Sequence, residues 1–126
     1  MPMVLWVALG GALGSAARYG VNVTCGRLCG AAFPWATLSV NVLGSFIMGV
    51  LVGAMALRFD VSPEIRAFLT TGILGGFTTF SAFSLDFALL VERGEAGFAA
   101  LYAAASLGLS LAAIFAGLWL ARTVLA

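Results

Sequence analysis

Four long apolar runs, parted only by short clusters of charge, leave this chain few folds to adopt. The charged residues are Arg18, Arg27, Arg58, Asp60, Glu64, Arg66, Glu92, Arg93, Glu95 and Arg122, together with Asp86, the one acid inside an apolar run. Between them lie segments at about 3–19, 34–57, 64–91 and 96–121. A membrane-crossing helix takes roughly 20 apolar residues, so these segments are read as four transmembrane helices of an all-α integral membrane protein. Composition agrees. The chain is 63% hydrophobic and 9% charged, whereas about a quarter of a soluble globular chain is charged. So few charges cannot clothe a domain of 126 residues in water, and the apolar excess must face lipid. The four spans use most of residues 1–126, a single transmembrane domain with no second, soluble one.

Local signals set the ends. Pro34 opens the second segment, and Ser62-Pro63-Glu64 opens the third with Pro at the first helical position and an acid in the first turn. Arg58-Phe59-Asp60 and Glu92-Arg93-Gly94-Glu95 are the second and third connections. Asn22 to Gly30, polar and containing glycine, is read as the first connection, with Arg18 closing helix one. The start, Met1-Pro2-Met3-Val4-Leu5-Trp6, lacks a basic leader region, so segment one is expected to be a retained span.

Several function classes fall away. A net charge of +1 with scattered arginines argues against nucleic acid. There is no His. Cys25 and Cys29 lack nearby companions for a metal site and are read as two ordinary thiols. Acid–base groups for an enzyme are missing.

Short connections make the helices alternate in direction. Arg58, Arg66 and Arg122 then share one side, and Arg18, Arg27 and Arg93 the other. Orientation follows an excess of Lys and Arg on the cytoplasmic face. Three against three predicts insertion both ways and an antiparallel, dual-topology homodimer, since four helices alone enclose little and a two-fold pair makes a usable interface. Gly10-x-x-x-Gly14 and Gly49-x-x-x-Gly53 predict close helix association without naming a partner.

The third segment carries the most chemistry. Gly72-Ile73-Leu74-Gly75-Gly76-Phe77-Thr78-Thr79 is a poor continuous helix, because glycine costs about 1 kcal/mol relative to alanine. Backbone freed at mid-membrane must be satisfied by protein, water or an ion. Carbonyls near Gly75 and Thr78 are therefore expected to form a cation site, with Na⁺ as the ion, against the plain alternative of a packing crossover. Phe80 and Phe83 fall on one helix face, where positive ring edges suit an anion; core or lipid-facing packing is the plain alternative. Asn41 interrupts an apolar run one turn after Thr37, and Tyr102, Ser106 and Ser110 form a polar stripe on segment four. Neutral donors of this kind replace the water around a hydrated anion without trapping it; hydrogen bonding between helices is the other use. Asp86 is expected at a vestibule wall and Arg18 at the interface or near an ion path.

Three stretches together resemble one family: Gly10-Gly11-Ala12-Leu13-Gly14-Ser15-Ala16-Ala17-Arg18-Tyr19, Asn41-Val42-Leu43-Gly44-Ser45-Phe46, and above all Gly75-Gly76-Phe77-Thr78-Thr79-Phe80-Ser81-Ala82-Phe83-Ser84. The chain looks like the Fluc (CrcB) fluoride channels of bacteria over essentially its whole length. The resemblance implies passive fluoride export through the bacterial cytoplasmic (inner) membrane by an antiparallel homodimer with two pores and a central Na⁺. Residue by residue it implies carbonyls of Gly75 and Thr78 on the Na⁺, pore phenylalanines Phe80 and Phe83, pore Asn41, and a polar track of Tyr102, Ser106, Ser110, Thr37 and Asp86. Two positions depart from the family pattern. Position 86 is often Glu and is Asp here, and position 82 is often Thr and is Ala here.

A four-helix, proton-coupled drug antiporter of the small multidrug resistance type is the main rival. It needs a carboxylate deep in its first helix, and residues 3–19 contain no acid. A non-transporting assembly subunit explains the glycine spacings but not the polar stripe.

Overall fold

The computed structural model describes residues 1–30 and 32–126. Among them all regular structure is helical, with no strand: α1 (Met3–Cys29), α2 (Trp35–Leu57), α3 (Pro63–Ala67), a π-helical stretch (Phe68–Leu74), α4 (Gly75–Phe77), α5 (Ser81–Glu92) and α6 (Ala96–Leu125). Taking Pro63–Glu92 together, four helices are long and apolar enough to cross a membrane.

Helix starts and stops follow their local chemistry. The Ser62 hydroxyl accepts a hydrogen bond from the Ile65 amide at 3.2 Å and Pro63 occupies the first turn, so α3 begins where the sequence indicates. Gly30 takes φ +78° and ψ −175° after α1, a backbone conformation open to glycine without a Cβ penalty, and the helix ends there. The first connection was therefore expected too early. α1 continues ten residues beyond Tyr19, spanning about 40 Å at 1.5 Å per residue, and Arg18 lies inside it rather than at its end. The polar residues 22–27 had suggested a loop, yet Gly30 is the real stop signal.

Two backbone-to-backbone contacts organise the molecule. α2 lies most extensively against α6, with Gly49 facing Ile114 and Leu118 and Gly117 facing Phe46 and Val50. α1 lies against the third span. A methyl group added at Gly10 would meet the Phe68 carbonyl at 2.5 Å and Gly72 Cα at 2.9 Å, and one at Gly76 would meet the Gly11 carbonyl at 2.7 Å. Within the stretch Gly72–Thr79 expected to interrupt the third span, the glycines thus remain helical, and Gly72 and Gly76 serve as contacts to α1. The helix gives out only after Phe77, where Thr78 turns extended (φ −85°, ψ 157°), and resumes at Ser81.

A small core of Leu38, Leu90, Ala99 and Tyr102 joins α2, α5 and α6, with Phe33 and Phe83 packed on it. Elsewhere large apolar side chains such as Leu13, Phe80, Phe115 and Trp119 stand exposed, a surface suited to lipid and to further protein.

Candidate functional site

Where α4 stops, α2 supplies the missing hydrogen bonds. Asn41 Oδ1 accepts from the Thr79 amide at 2.8 Å, and Asn41 Nδ2 donates to the Thr79 carbonyl at 2.9 Å. One carboxamide thus splints one residue of extended backbone. Thr79 also caps the restart, its Oγ1 accepting from the Ala82 amide at 3.1 Å. Arg18 reaches the same place from α1, its Nε donating to the Gly76 carbonyl at 3.1 Å. With Thr79 N–H turned to Asn41 and Ala82 N–H turned to Thr79 Oγ1, the carbonyls of Gly75 and Thr78 receive no hydrogen bond among the described residues.

Beside this gap lies a groove of about 270 Å³, lined by Asn41, Ser45, Thr78, Thr79, Phe80, Phe83, Ser106 and Ser110, with Leu107 and Leu111. Its polar atoms are neutral. Thr70, Thr78, Ser84 and Thr123 each donate their hydroxyl to the carbonyl four residues earlier, the usual way a helix occupies such a group. The Ser106 and Ser110 hydroxyls do not. Both oxygens are buried and have no hydrogen-bond partner among the described residues. The rings of Phe80 and Phe83, 5.4 Å apart at 45°, border the groove, and Phe80 is 74% exposed. Ser84, next to Phe83 in the chain, bonds back to the Phe80 carbonyl.

A second cavity of about 360 Å³ opens between the end of α1, the start of α2 and α5, and Asp86, Asn22 and Arg93 supply its polar wall. The two cavities share no lining residue. Tyr102 stands as a septum within the core, fully buried, with Phe83 at 5.1 Å and its hydroxyl donating to Asp86 Oδ2 at 3.1 Å. Buried Thr37 lies near the same hydroxyl. The structure therefore brings Asn41, Phe80, Phe83, Ser106 and Ser110 to one groove, and Asp86 to the other cavity. Thr37 and Tyr102 lie on neither wall, while Arg18 and Gly75 stand at the break.

Comparison with known proteins decides the family. The model of the CrcB-like protein, Camphor Resistance (CrcB) family matches residues 5–118. The chain belongs to the CrcB family. The CrcB relatives include a protein of Rhodospirillum centenum, 60% identical over the full length of both chains. One from a Chelativorans species is 56% identical, covering 97% of this chain and 98% of its own. One from Rhizobium johnstonii is 55% identical, covering 98% and 99%. All three are named fluoride-specific ion channel FluC. With its four apolar spans, this CrcB chain is a multi-pass membrane protein.

Sequence reasoning missed Ser45 and Thr79 as groove residues. Thr37, Asn41 and Ser45 recur every four residues on α2 as Tyr102, Ser106 and Ser110 do on α6, so the spacing that exposed one stripe also marks the other.

Proposed function

We infer that the chain is a fluoride channel, not an enzyme, and that it lets fluoride leave the cell passively across the bacterial inner membrane. The observation that carries this reading is the pair of buried, unpartnered hydroxyls of Ser106 and Ser110 beside the Phe80–Phe83 rings. A buried polar group left unpaired costs about 1–3 kcal/mol, so two on one helix face call for a ligand. Fluoride holds its hydration water strongly, and neutral donors together with positive ring edges replace that water without a fixed charge to retain the ion. The full-length relatives named fluoride-specific support the choice of ion. A proton-coupled antiporter has no support, since α1 lacks an acid even over its full 27 residues.

The working unit is an antiparallel homodimer of dual-topology chains, with the Thr78–Phe80 gap at mid-bilayer. One chain leaves its groove open on a side where Phe80 is exposed, and a second copy would cover it. The free carbonyls of Gly75 and Thr78 are hard, uncharged oxygen donors of the kind that unwound membrane helices present to Na⁺. They would hold the ion, which would supply a fixed positive charge at the break. On this chain's side, Asn41 keeps the backbone there extended and Arg18 holds the neighbouring Gly76 carbonyl away. Buried Tyr102, its hydroxyl bonded to Asp86 on the vestibule side, separates vestibule from groove.

Replacing both hydroxyls, Ser106→Ala with Ser110→Ala, tests the reading. Thermal stability of the purified protein is expected to hold or rise, because two orphaned groups disappear. Fluoride efflux from reconstituted liposomes is expected to fall by about tenfold, the equivalent of roughly 1.4 kcal/mol. Unchanged efflux with intact protein would remove these hydroxyls from the pathway.

A further inference from the structure

The last turn of α1 holds a feature that the ion pathway does not use. Cys25 and Cys29 are both free, and their sulfurs face each other at 2.9 Å. Cys29 is exposed, while Cys25 is half-buried and lines the cavity of about 360 Å³ that also contains Asp86 and Arg93. Residues four apart on a helix have Cβ atoms about 5–6 Å apart, whereas a disulfide wants roughly 3.5–4.5 Å. Closing a disulfide across these positions would distort the turn, which favours the dithiol. A larger bridging atom suits that span better, and soft thiolate ligands select soft metal centres.

We propose that Cys25 and Cys29 form a dithiol site for thiophilic metal centres that accept two sulfurs, trivalent arsenicals among them, and that occupancy obstructs the adjoining vestibule. The chemistry balances without an oxidant. Phenylarsine oxide forms two As–S bonds, and its oxygen leaves with both thiol protons as one water. Cys25 would bring the adduct to the rim of the cavity whose wall includes Asp86, with Cys29 on the adjoining face of α1. The obstruction rests on the fluoride-channel reading. The chelate does not.

Purified protein is treated with phenylarsine oxide and measured by intact-mass spectrometry and by efflux from liposomes. The expected product is one adduct per chain, of reagent mass less one water, with both thiols lost to alkylation and both regained on adding a small dithiol. Cys25→Ser and Cys29→Ser should each abolish the stable adduct. Treated wild-type protein should lose most of its fluoride efflux relative to untreated protein, and the two variants should not respond. No adduct, or one equally stable in either variant, would overturn the dithiol site. Adduct formation with unchanged efflux would overturn the obstruction. If untreated protein passes no fluoride, the mass measurement still decides the site and the fault lies with the channel reading.

Discussion

A carboxamide in an apolar helix is expensive unless both its ends are matched, and Asn41 finds both matches on Thr79. This division of labour was only half legible in the sequence. Asn41 stands out from its apolar neighbours, but nothing in its local spacing tells that its partner is a backbone thirty-eight residues away. Asn41→Asp keeps the acceptor and loses the donor, leaving the Thr79 carbonyl unpaired at a cost of about 1–3 kcal/mol. The variant is expected to melt earlier in detergent and to lose fluoride efflux, while still eluting as a dimer. A wild-type melting profile would show that the splint contributes nothing. The serine stripe was more legible, because a four-residue period projects Tyr102, Ser106 and Ser110 onto one face whatever surrounds them. What the period cannot reveal is occupancy. Ser84 has the same hydroxyl and turns it back on its own helix.

At the scale of elements, glycine spacing predicted closeness but not pairing. Gly10 and Gly14 of α1 meet the third span at Phe68, Gly72, Ile73 and Phe77, and Gly49 and Gly53 of α2 meet Ile114, Leu118 and Ala121 of α6. Sequence signals located α2 and the start of α3, where proline and a serine cap act locally. They failed at the end of α1, where Asn22, Gly26 and Arg27 mimic a loop that the chain does not form. They placed the interruption of the third span within Gly72–Thr79, and the helix ends at the threonines of that stretch rather than at its glycines. A methyl group at Gly14 would strike the Ile73 carbonyl, while one at Gly20 would meet nothing within 4 Å. Gly14→Ala is accordingly expected to destabilise the protein by about 1–3 kcal/mol, the usual cost of overpacking. Gly20→Ala should be neutral or slightly stabilising. Thermal unfolding of the two variants side by side checks this, and equal stability would contradict the packing of α1 on the third span.

At the scale of the whole molecule, moving Arg18 into α1 alters the balance of charge. The flanking arginines become Arg58, Arg66 and Arg122 on one side against Arg27 and Arg93 on the other. A difference of one arginine is a weak orienting bias. C-terminal tags on cells should therefore be found on both faces of the membrane, and a single orientation would contradict dual topology. That arrangement matters because one chain alone offers an open groove with exposed Phe80, and an inverted copy would close it. Uncharged donors and ring edges are expected to carry a small, strongly hydrated halide and to reject a larger one. Liposomes containing the purified protein and loaded with fluoride and chloride together, read by two ion-selective electrodes, test it most directly. Rapid passive loss of fluoride with chloride retained is the predicted result, and vesicles that hold fluoride, or release both ions alike, would contradict it.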